Sequence, residues 1–301
     1  MSLFHQPALL HPEERKAIAA QIKADINEYC LRTYDDGHRS HLGASLIGDV
    51  CGRRIWYGWR WVKSNLFDGR MQRLFNRGHK EEARWIEWLK GIGFTIWSEN
   101  EDGTQFRIAG VEGHFGGSLD SVGQRPLMPG QSSAYDRLAR VGPFLVEYKT
   151  YNRKTFDKLL KDGVQKTKPN HWVQMCLYGA KNKIRYALYC PICKDDDDIE
   201  PELVELDWSI AAEAERKAET IILERIPPRR YSEDATNFEC KMCNYRDICH
   251  KGAKYEINCR SCRFAVPVKG GQWYCENFGN IIPKDFIPKG CSAHKEAGRN
   301  N

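Results

Sequence analysis

The amino-acid sequence predicts an α/β fold with a small cysteine-rich appendage at its C-terminal end. Three observations lead to this prediction. Segments of helical and extended character alternate over residues 12–225, and most of the 12 cysteines lie beyond residue 239. The chain has 301 residues and is 41% hydrophobic, which is enough for one sizeable core.

The N-terminal part is predicted to contain three helices. Ile18, Ile22 and Ile26 recur every four residues and indicate an amphipathic helix over residues 12–30. Residues 45–62 are predicted to be helical with Ser45 as the N-cap, and residues 70–90 are predicted to form a longer helix.

Four strand-like runs follow, at FTIWS, QFRIAG, a segment that ends at Asp120, and FLVEYKT. The stretch MPGQSSAYDRLARVG between the last two is predicted to be a Pro/Gly/Ser loop. Helices over residues 153–162 and 169–182, strands over 184–190 and 202–207, and a helix over 209–225 complete the alternation. The KDDDD patch is predicted to be a solvated turn.

Candidate catalytic residues lie at the end of these strands. Glu147 and Lys149 share one strand face, whereas Tyr148 points into the opposite layer. Asp120 follows the Gly-rich run GGSLD. Two carboxylates held together by a sheet repel each other unless a cation lies between them, and Mg²⁺ prefers oxygen ligands. Such a site suits phosphodiester hydrolysis, although a surface Glu/Lys pair on a half-exposed strand is an equally simple explanation.

A helix pattern strengthens the first interpretation. In HWVQMCLYG, Gln174 and Tyr178 stand four residues apart and share one helix face. The order Asp120, Glu147-x-Lys149 and Gln174-x3-Tyr178 resembles the PD-(D/E)XK nucleases, in particular the RecB-like branch that includes phage recombination exonucleases and CRISPR adaptation nucleases. This resemblance implies a restriction-endonuclease-like core, in which helices flank a mixed sheet.

The same branch carries an upstream helix with Gly-x3-His or Gly-x3-Glu. The segment RGHKEEARWIEWL matches it, because Glu82 follows Gly78 by four residues. Glu82 is therefore the implied third acidic ligand. His79 and Glu81 are out of register and are predicted to lie on the helix surface.

The resemblance implies a role for each of these residues. Glu82, Asp120 and Glu147 would bind one or two Mg²⁺ or Mn²⁺ ions, with the backbone carbonyl of Tyr148 as a further ligand; Lys149 would orient or help deprotonate the attacking water; Gln174 and Tyr178 would position the strand beside the metal. The main departure from the family is the long separation of Asp120 from Glu147 by residues 121–146, and Asp136 is the alternative aspartate.

The implied activity is exonucleolytic digestion of DNA ends in recombination, repair or phage replication. DNA is the implied partner, with a recombination or single-strand annealing protein as a second partner. Two alternatives remain, an endonuclease or adaptation-type subunit of a larger complex and a non-catalytic nucleic-acid-binding protein. We expect a cytoplasmic protein without membrane association, because no apolar leader or bilayer-length run is present. The net charge of +6 permits an acidic substrate.

Clustered cysteines in a reducing compartment are more often metal ligands than disulfides. Cys240-x2-Cys243-x5-Cys249 is a tight group of three, and Cys51 is the candidate fourth ligand of a zinc or iron–sulfur site. The split arrangement is similar to the 4Fe-4S site of a subset of RecB-like nucleases. It implies a 4Fe-4S cluster, with zinc as the alternative.

A second group lies outside the resemblance and comprises Cys259, Cys262, Cys275 and Cys291, with His294 as a substitute ligand. About 45 residues cannot build an adequate core alone. We therefore predict a nuclease domain over residues 1–252 and a structural zinc-binding tail over residues 253–301, with contact to DNA or a partner as the second interpretation of the tail.

Other notable residues have simpler explanations. Cys190 and Cys193 are predicted to be a strand end with coincidental spacing, and Cys30 and Cys176 to be buried apolar side chains. The basic and aromatic segment RRIWYGWRWVK could stack bases and contact phosphates. Packing of its aromatic rings into the core is the favoured alternative.

Overall fold

The computed structural model describes residues 9–35, 37–64 and 67–299. The chain forms two compact units, one comprising Met1–His38 and Leu66–Lys80 and the other Arg39–Asn65 and Glu81–Asn301. The second unit includes both sides of the predicted boundary at residue 252, which stays a prediction. Within the described residues, no helix combines the length and the apolar character that a membrane span requires.

The helices and strands follow the predicted alternation. The helices are α1 Pro12–Tyr34, α2 Gly52–Trp59, α3 Gly69–Gly91, α4 Ser133–Val141, α5 Arg153–Thr167, α6 Pro169–Asn182, α7 Trp208–Leu223, α8 Phe238–Lys241 and α9 Arg246–Lys251. The strands are β1 Leu42–Gly43, β2 Thr95–Trp97, β3 Arg107–Gly110, β4 Phe115–Ser118, β5 Ser121–Gln124, β6 Phe144–Tyr151, β7 Tyr186–Cys193, β8 Glu202–Glu205, β9 Ala265–Val268, β10 Gln272–Cys275 and β11 Asn280–Ile282.

The central sheet has five strands in the order β2-β5-β6-β7-β8. Strands β6 and β7 are parallel and bring Glu147 opposite Tyr189, whereas the other pairs are antiparallel. Two small sheets, β1-β4-β3 and β11-β10-β9, accompany it. The predicted fold class is confirmed: the sheet is mixed, helices flank it, and the C-terminal part is small and cysteine-rich.

Strand β6 is buried on both faces, and its side chains alternate between two clusters. Leu145 packs in the cluster that contains Met175 of α6. Tyr148 packs in the other cluster, with Trp85 and Leu89 of α3. Tyr148 therefore points away from Glu147 and Lys149, as the strand period predicts.

The prediction of one helix over residues 45–62 is wrong. A short 3₁₀ turn at Ala44–Leu46 is followed by a bend, and α2 begins only at Gly52. At the bend, the Asp49 carboxylate accepts the Cys51 N–H at 2.8 Å. Cys51, and not Ser45, caps the helix, because its Sγ accepts the Arg54 N–H at 3.4 Å.

The predicted loop before β6 is also wrong in part. It contains helix α4, which Ser132 caps by accepting the Tyr135 N–H at 3.4 Å. Tyr135 and Leu138, three residues apart, pack against the core and explain why this polar segment folds. Strand β5, which was not predicted, pairs with β6 just upstream. Asp136 lies on α4 and accepts a hydrogen bond from Gln131 at 3.0 Å.

The apolar side chains of the N-terminal helix are half exposed, whereas tryptophans of the RRIWYGWRWVK segment are buried. Helix α1 is present, but Ile18, Ile22 and Ile26 on its apolar stripe are each about half exposed. In α2, Trp56 and Trp59 are buried, so these rings belong to the core and do not form an exposed stacking surface.

Two further cysteine predictions are confirmed. Cys30 and Cys176 are buried on helices α1 and α6. Cys190 and Cys193 lie three residues apart on β7 and belong to different core clusters. They therefore face opposite sides of the sheet and share no site.

Candidate active site

Asp120, Glu147 and Lys149 converge where β6 meets the connection between β4 and β5. The Lys149 Nζ lies 2.6 Å from Glu147 Oε1 and 3.4 Å from Asp120 Oδ2. Glu147 is only 2% exposed, so this ion pair is largely removed from water. The antiparallel pairing of β5 with β6 produces the convergence, because it places Ser121, next to Asp120, opposite Val146.

The backbone of Tyr148 completes this group of oxygens. Its N–H donates to Asp120 Oδ2 at 3.1 Å, and its carbonyl accepts from Lys149 Nζ at 2.8 Å. Three oxygens of the predicted ligand set, from Asp120, Glu147 and Tyr148, thus surround one cationic atom. Carboxylate and carbonyl oxygens are the donor type that Mg²⁺ and Mn²⁺ prefer, and in this structure they contact the Lys149 ammonium.

Glu82 lies on α3, is partly buried and is close enough to interact with this group. Burial and then the Asp120 charge raise the pKa of Glu82 to about 7, against the opposing effect of Lys149. His79 is exposed, as predicted. Glu81 was predicted to lie on the surface, but it is 7% exposed and pairs with Arg84 at 2.7 Å.

The electrostatics of the buried pair favour a charged lysine. Burial raises the pKa of Glu147, and the neighbouring Asp120 raises it further. Burial lowers the pKa of Lys149, but the Glu147 and Asp120 charges outweigh this effect, so its net pKa is raised. The group therefore concentrates negative charge around an ammonium that keeps its proton near neutral pH.

Gln174 and Tyr178 face the same site from α6. The Gln174 Nε2 lies 3.2 Å from Glu147 Oε1 and 3.3 Å from the Tyr178 hydroxyl. Both side chains are buried. Gly117 explains the Gly-rich signal before Asp120, because a Cβ at this position would collide with the Tyr178 hydroxyl.

Sequence reasoning missed a polar cluster beside the ion pair. The His171 Nδ1 lies 3.1 Å from the Tyr151 hydroxyl and 2.8 Å from the Tyr189 hydroxyl, and the two hydroxyls also contact each other. Burial, followed by the Lys149 charge, lowers the pKa of His171 to about 3. Two spacings in the sequence could have indicated this cluster. His171 shares a helix face with Gln174, and Tyr151 shares a strand face with Lys149, two residues before it on β6.

The first cysteine group is brought together from distant segments. Cys51 at the start of α2 and Cys240, Cys243 and Cys249 around α8 and α9 all line one cavity. Burial raises the pKa of Cys243, with further upward contributions from Cys51 and Cys249. The predicted set is therefore a spatial group.

The second cysteine group also converges. Cys259, Cys262, Cys275, Cys291 and His294 line another cavity in the C-terminal part. Across residues 9–35, 37–64 and 67–299, however, no three or more His, Cys, Asp or Glu side chains stand in an arrangement that could hold a metal ion. The metal and iron–sulfur roles of these residues stay predictions.

The chain is similar to solved structures at low sequence identity and low TM-score. No family model matches the sequence, and no curated protein matches it. The chain is similar to the crystal structure of SSO0001, with 18% identity and a TM-score of 0.44 over 76% of this chain and 96% of that chain. It is similar to an alkaline exonuclease, LHK-Exo, from Laribacter hongkongensis, with 18% identity and a TM-score of 0.38 over 64% of this chain and 90% of that chain. The chain is also similar to LHK-Exo in complex with dAMP, with 20% identity and a TM-score of 0.34 over 59% of this chain and 88% of that chain. These scores carry no functional conclusion.

Proposed function

We propose that this chain is a metal-dependent DNA nuclease of the PD-(D/E)XK type, acting as an exonuclease at DNA ends. One observation carries the proposal. The Asp120 and Glu147 carboxylates lie 3.4 and 2.6 Å from the Lys149 ammonium in a partly buried site. An acidic pair with an adjacent cation matches the requirements of phosphodiester hydrolysis.

The metal would be held by Glu82, Asp120, Glu147 and the carbonyl of Tyr148. The fit is chemical, because all four donors are hard oxygens, and because the Asp120 charge raises the pKa of both Glu82 and Glu147. A divalent cation bound here would activate water and offset the negative charge that develops on the phosphate oxygens.

Lys149 would orient groups and donate hydrogen bonds. Its raised pKa keeps the ammonium protonated, so it is suited to hold the attacking water or a phosphate oxygen and not to remove a proton. Gln174 would act as a positioning residue, because its amide donates to Glu147 and fixes the orientation of that carboxylate. Tyr178 accepts a hydrogen bond from the same amide and supports its position.

Helix α5 supplies a basic surface next to the site. It begins at Arg153, shortly after Lys149 on β6. Its exposed lysines are Lys154, Lys158, Lys161 and Lys166. Exposed lysines on one helix suit contact with the phosphate backbone of DNA. A recombination or single-strand annealing protein as a further partner stays a prediction.

Cleavage of end-labelled DNA in Mg²⁺ or Mn²⁺ tests the activity. We expect Lys149→Ala to lower kcat by at least about a hundredfold, while DNA affinity in a binding assay changes little. The control is Lys90→Ala, which removes an exposed lysine from α3. Undiminished hydrolysis by Lys149→Ala would remove this lysine from the mechanism, and a wild-type protein that cleaves nothing in either metal would refute the nuclease proposal.

The mode of cleavage is tested by comparing linear with covalently closed circular DNA. An exonuclease degrades the linear molecule progressively and leaves the closed circle intact. Cleavage of the circle would favour the endonuclease alternative.

We also propose that Cys51, Cys240, Cys243 and Cys249 hold a 4Fe-4S cluster. Support comes from their common cavity and from Arg53 in its lining, whose Nη1 lies 4.0 Å from Cys249 Sγ and whose positive charge suits an anionic cluster. Anaerobic purification should yield a brown protein with broad visible absorption and iron that Cys243→Ser removes. Zinc in place of iron in this group would favour the alternative.

A further inference from the structure

Two arginines, Arg60 and Arg260, are buried in the second unit, and each is only 1% exposed. In the part of the chain that the structure describes, neither forms a salt bridge with a carboxylate. Burying a charge is costly unless an opposite charge compensates it. A nearby group with negative charge would therefore offset the cost of burying these two arginines.

Arg60, at the end of α2, reaches the cysteine-rich part of the chain. Its Nη1 donates to the carbonyls of Arg260 at 3.2 Å and Ala265 at 2.9 Å, on either side of Cys262. Its Nε has no acceptor among the described residues. Burial is the largest effect on the pKa of Arg60, whose net value is lowered to about 10, and the nearby Cys262 acts in the opposite direction.

Arg260 follows Cys259 and adds a second positive charge. Its guanidinium lies 3.8 Å from the centre of the Trp59 ring and 4.3 Å from that of Trp61. It donates to the carbonyl of Arg39 at 3.1 Å. Aromatic faces and carbonyls solvate these cations but do not neutralise them.

The four thiols of the second cysteine group line one cavity. Ala265, whose carbonyl accepts from Arg60, lines the same cavity. Cys259 and Cys262 share one turn, in which the Cys262 N–H donates to the Cys259 carbonyl at 3.1 Å, and Cys275 pairs with Ala265 across β9 and β10. The backbone is shaped for this convergence, because Gly290 has φ +64° and a Cβ there would lie 2.9 Å from Ile257 Cγ2.

His294 is not needed as a ligand. Its Nε2 lies 2.8 Å from the Ser261 hydroxyl, so it already has a hydrogen-bond partner. Four cysteines remain. As their side chains stand, no three of these described residues are arranged so that they could hold a metal ion. A change of side-chain rotamer moves a thiol without a change in the backbone.

We propose that Cys259, Cys262, Cys275 and Cys291 bind one Zn²⁺ ion as thiolates and that this anionic centre neutralises Arg60. Four thiolates on a divalent ion carry a formal excess of negative charge. Arg60, whose guanidinium donates to carbonyls on either side of Cys262, supplies a buried positive charge. The site joins α2 to the C-terminal sheet and is independent of the nuclease chemistry.

Metal analysis of the full chain, with iron and zinc measured separately, tests the site. The wild type should hold zinc that Cys291→Ser loses, while its iron content is unchanged. Cys193→Ser is the matched control, because Cys193 is buried on β7 outside this cavity, and it should retain the zinc. Zinc retained by Cys291→Ser, or iron in place of zinc at these cysteines, would overturn the proposal.

Thiol alkylation of the wild type provides a test that requires no variant. Mass spectrometry should show that the four cysteines resist alkylation until a zinc chelator is added and then become reactive together. Equal reactivity before and after chelation, with zinc absent from the protein, would refute the site.

The role of Arg60 is tested by zinc affinity in competition with a chelator. We expect Arg60→Gln to weaken zinc binding at least about tenfold, because it removes the buried charge that compensates the thiolates. Arg125→Gln is the control, since Arg125 is also buried, at 6% exposure, and stacks 4.2 Å from the centre of the Tyr135 ring. Equal affinities in the two variants would exclude charge compensation by Arg60.

Discussion

Replacement of Glu82 by Gln is expected to stabilise the metal-free protein above neutral pH. Burial and then Asp120 raise the pKa of Glu82 from 4.5 to about 7. Between these values the folded protein binds more protons than the unfolded chain, so the free energy of unfolding falls as the pH rises through this window. A shift of this size corresponds to about 3 kcal/mol for a fully buried group. Because the carboxylate is only partly buried and water screens it, we expect about 1 to 2 kcal/mol.

Urea denaturation in EDTA measures this difference. Glu82→Gln should be more stable than the wild type at about pH 8 and nearly equal to it at about pH 4.5, where Glu82 is already protonated when folded. Glu87→Gln removes an exposed carboxylate from the same helix and should change little at either pH. A loss of stability at about pH 8, or the same gain at both pH values, would refute the reasoning.

Magnesium should stabilise the wild type and Glu82→Gln to different extents. A ligand that binds only the folded state stabilises it in proportion to the logarithm of ligand concentration over Kd. The wild type should therefore gain more stability than Glu82→Gln when Mg²⁺ replaces EDTA. An identical gain in both proteins would exclude Glu82 from the metal site.

Three further predictions follow from the same region. Burial is the largest cause that lowers the pKa of His171 from 6.5 to about 3. Between these pH values the folded protein binds fewer protons than the unfolded chain, so it loses stability as the pH falls. His171→Gln should make the free energy of unfolding, measured in urea titrations, depend less on pH in this range, and an unchanged pH dependence would contradict the prediction. Gly117→Ala should destabilise by about 1 to 3 kcal/mol because its Cβ meets the Tyr178 hydroxyl. Tyr178→Phe should recover part of that loss in a double-mutant cycle, whereas strict additivity would argue against the contact. Gln174→Ala removes the amide that orients Glu147 and should lower kcat about tenfold with DNA affinity unchanged; a change confined to affinity would indicate a different role.

Local patterns predicted much of the architecture. The strand and helix periods alone predict that Glu147 shares a face with Lys149 and Gln174 with Tyr178. The resemblance to the PD-(D/E)XK nucleases assigned both pairs to one site, and the structure brings them together. The same periods missed His171, whose hydroxyl partners lie on β6 and β7. A periodic pattern shows which side chains share a face, but not what that face meets.

Errors arose where a local turn or a distant packing contact outweighed the general character of a segment. Residues 45–62 have helical character, but Asp49 turns the chain and delays α2 to Gly52. Helix α4 lies in a segment rich in turn residues and folds because Tyr135 and Leu138 pack into the core. Local propensity is a weak preference that tertiary packing overrides.

The sequence by itself determined which side chains lie together on one strand, one helix or one cysteine turn, because backbone geometry sets these neighbours over a few residues. Only the tertiary structure decided that Asp120 meets Lys149 across the β5–β6 pairing, that Glu82 has a pKa of about 7, and that Arg60 is buried beside Cys262. These properties depend on burial and on charges from distant segments, which act through space and leave no periodic signal along the chain.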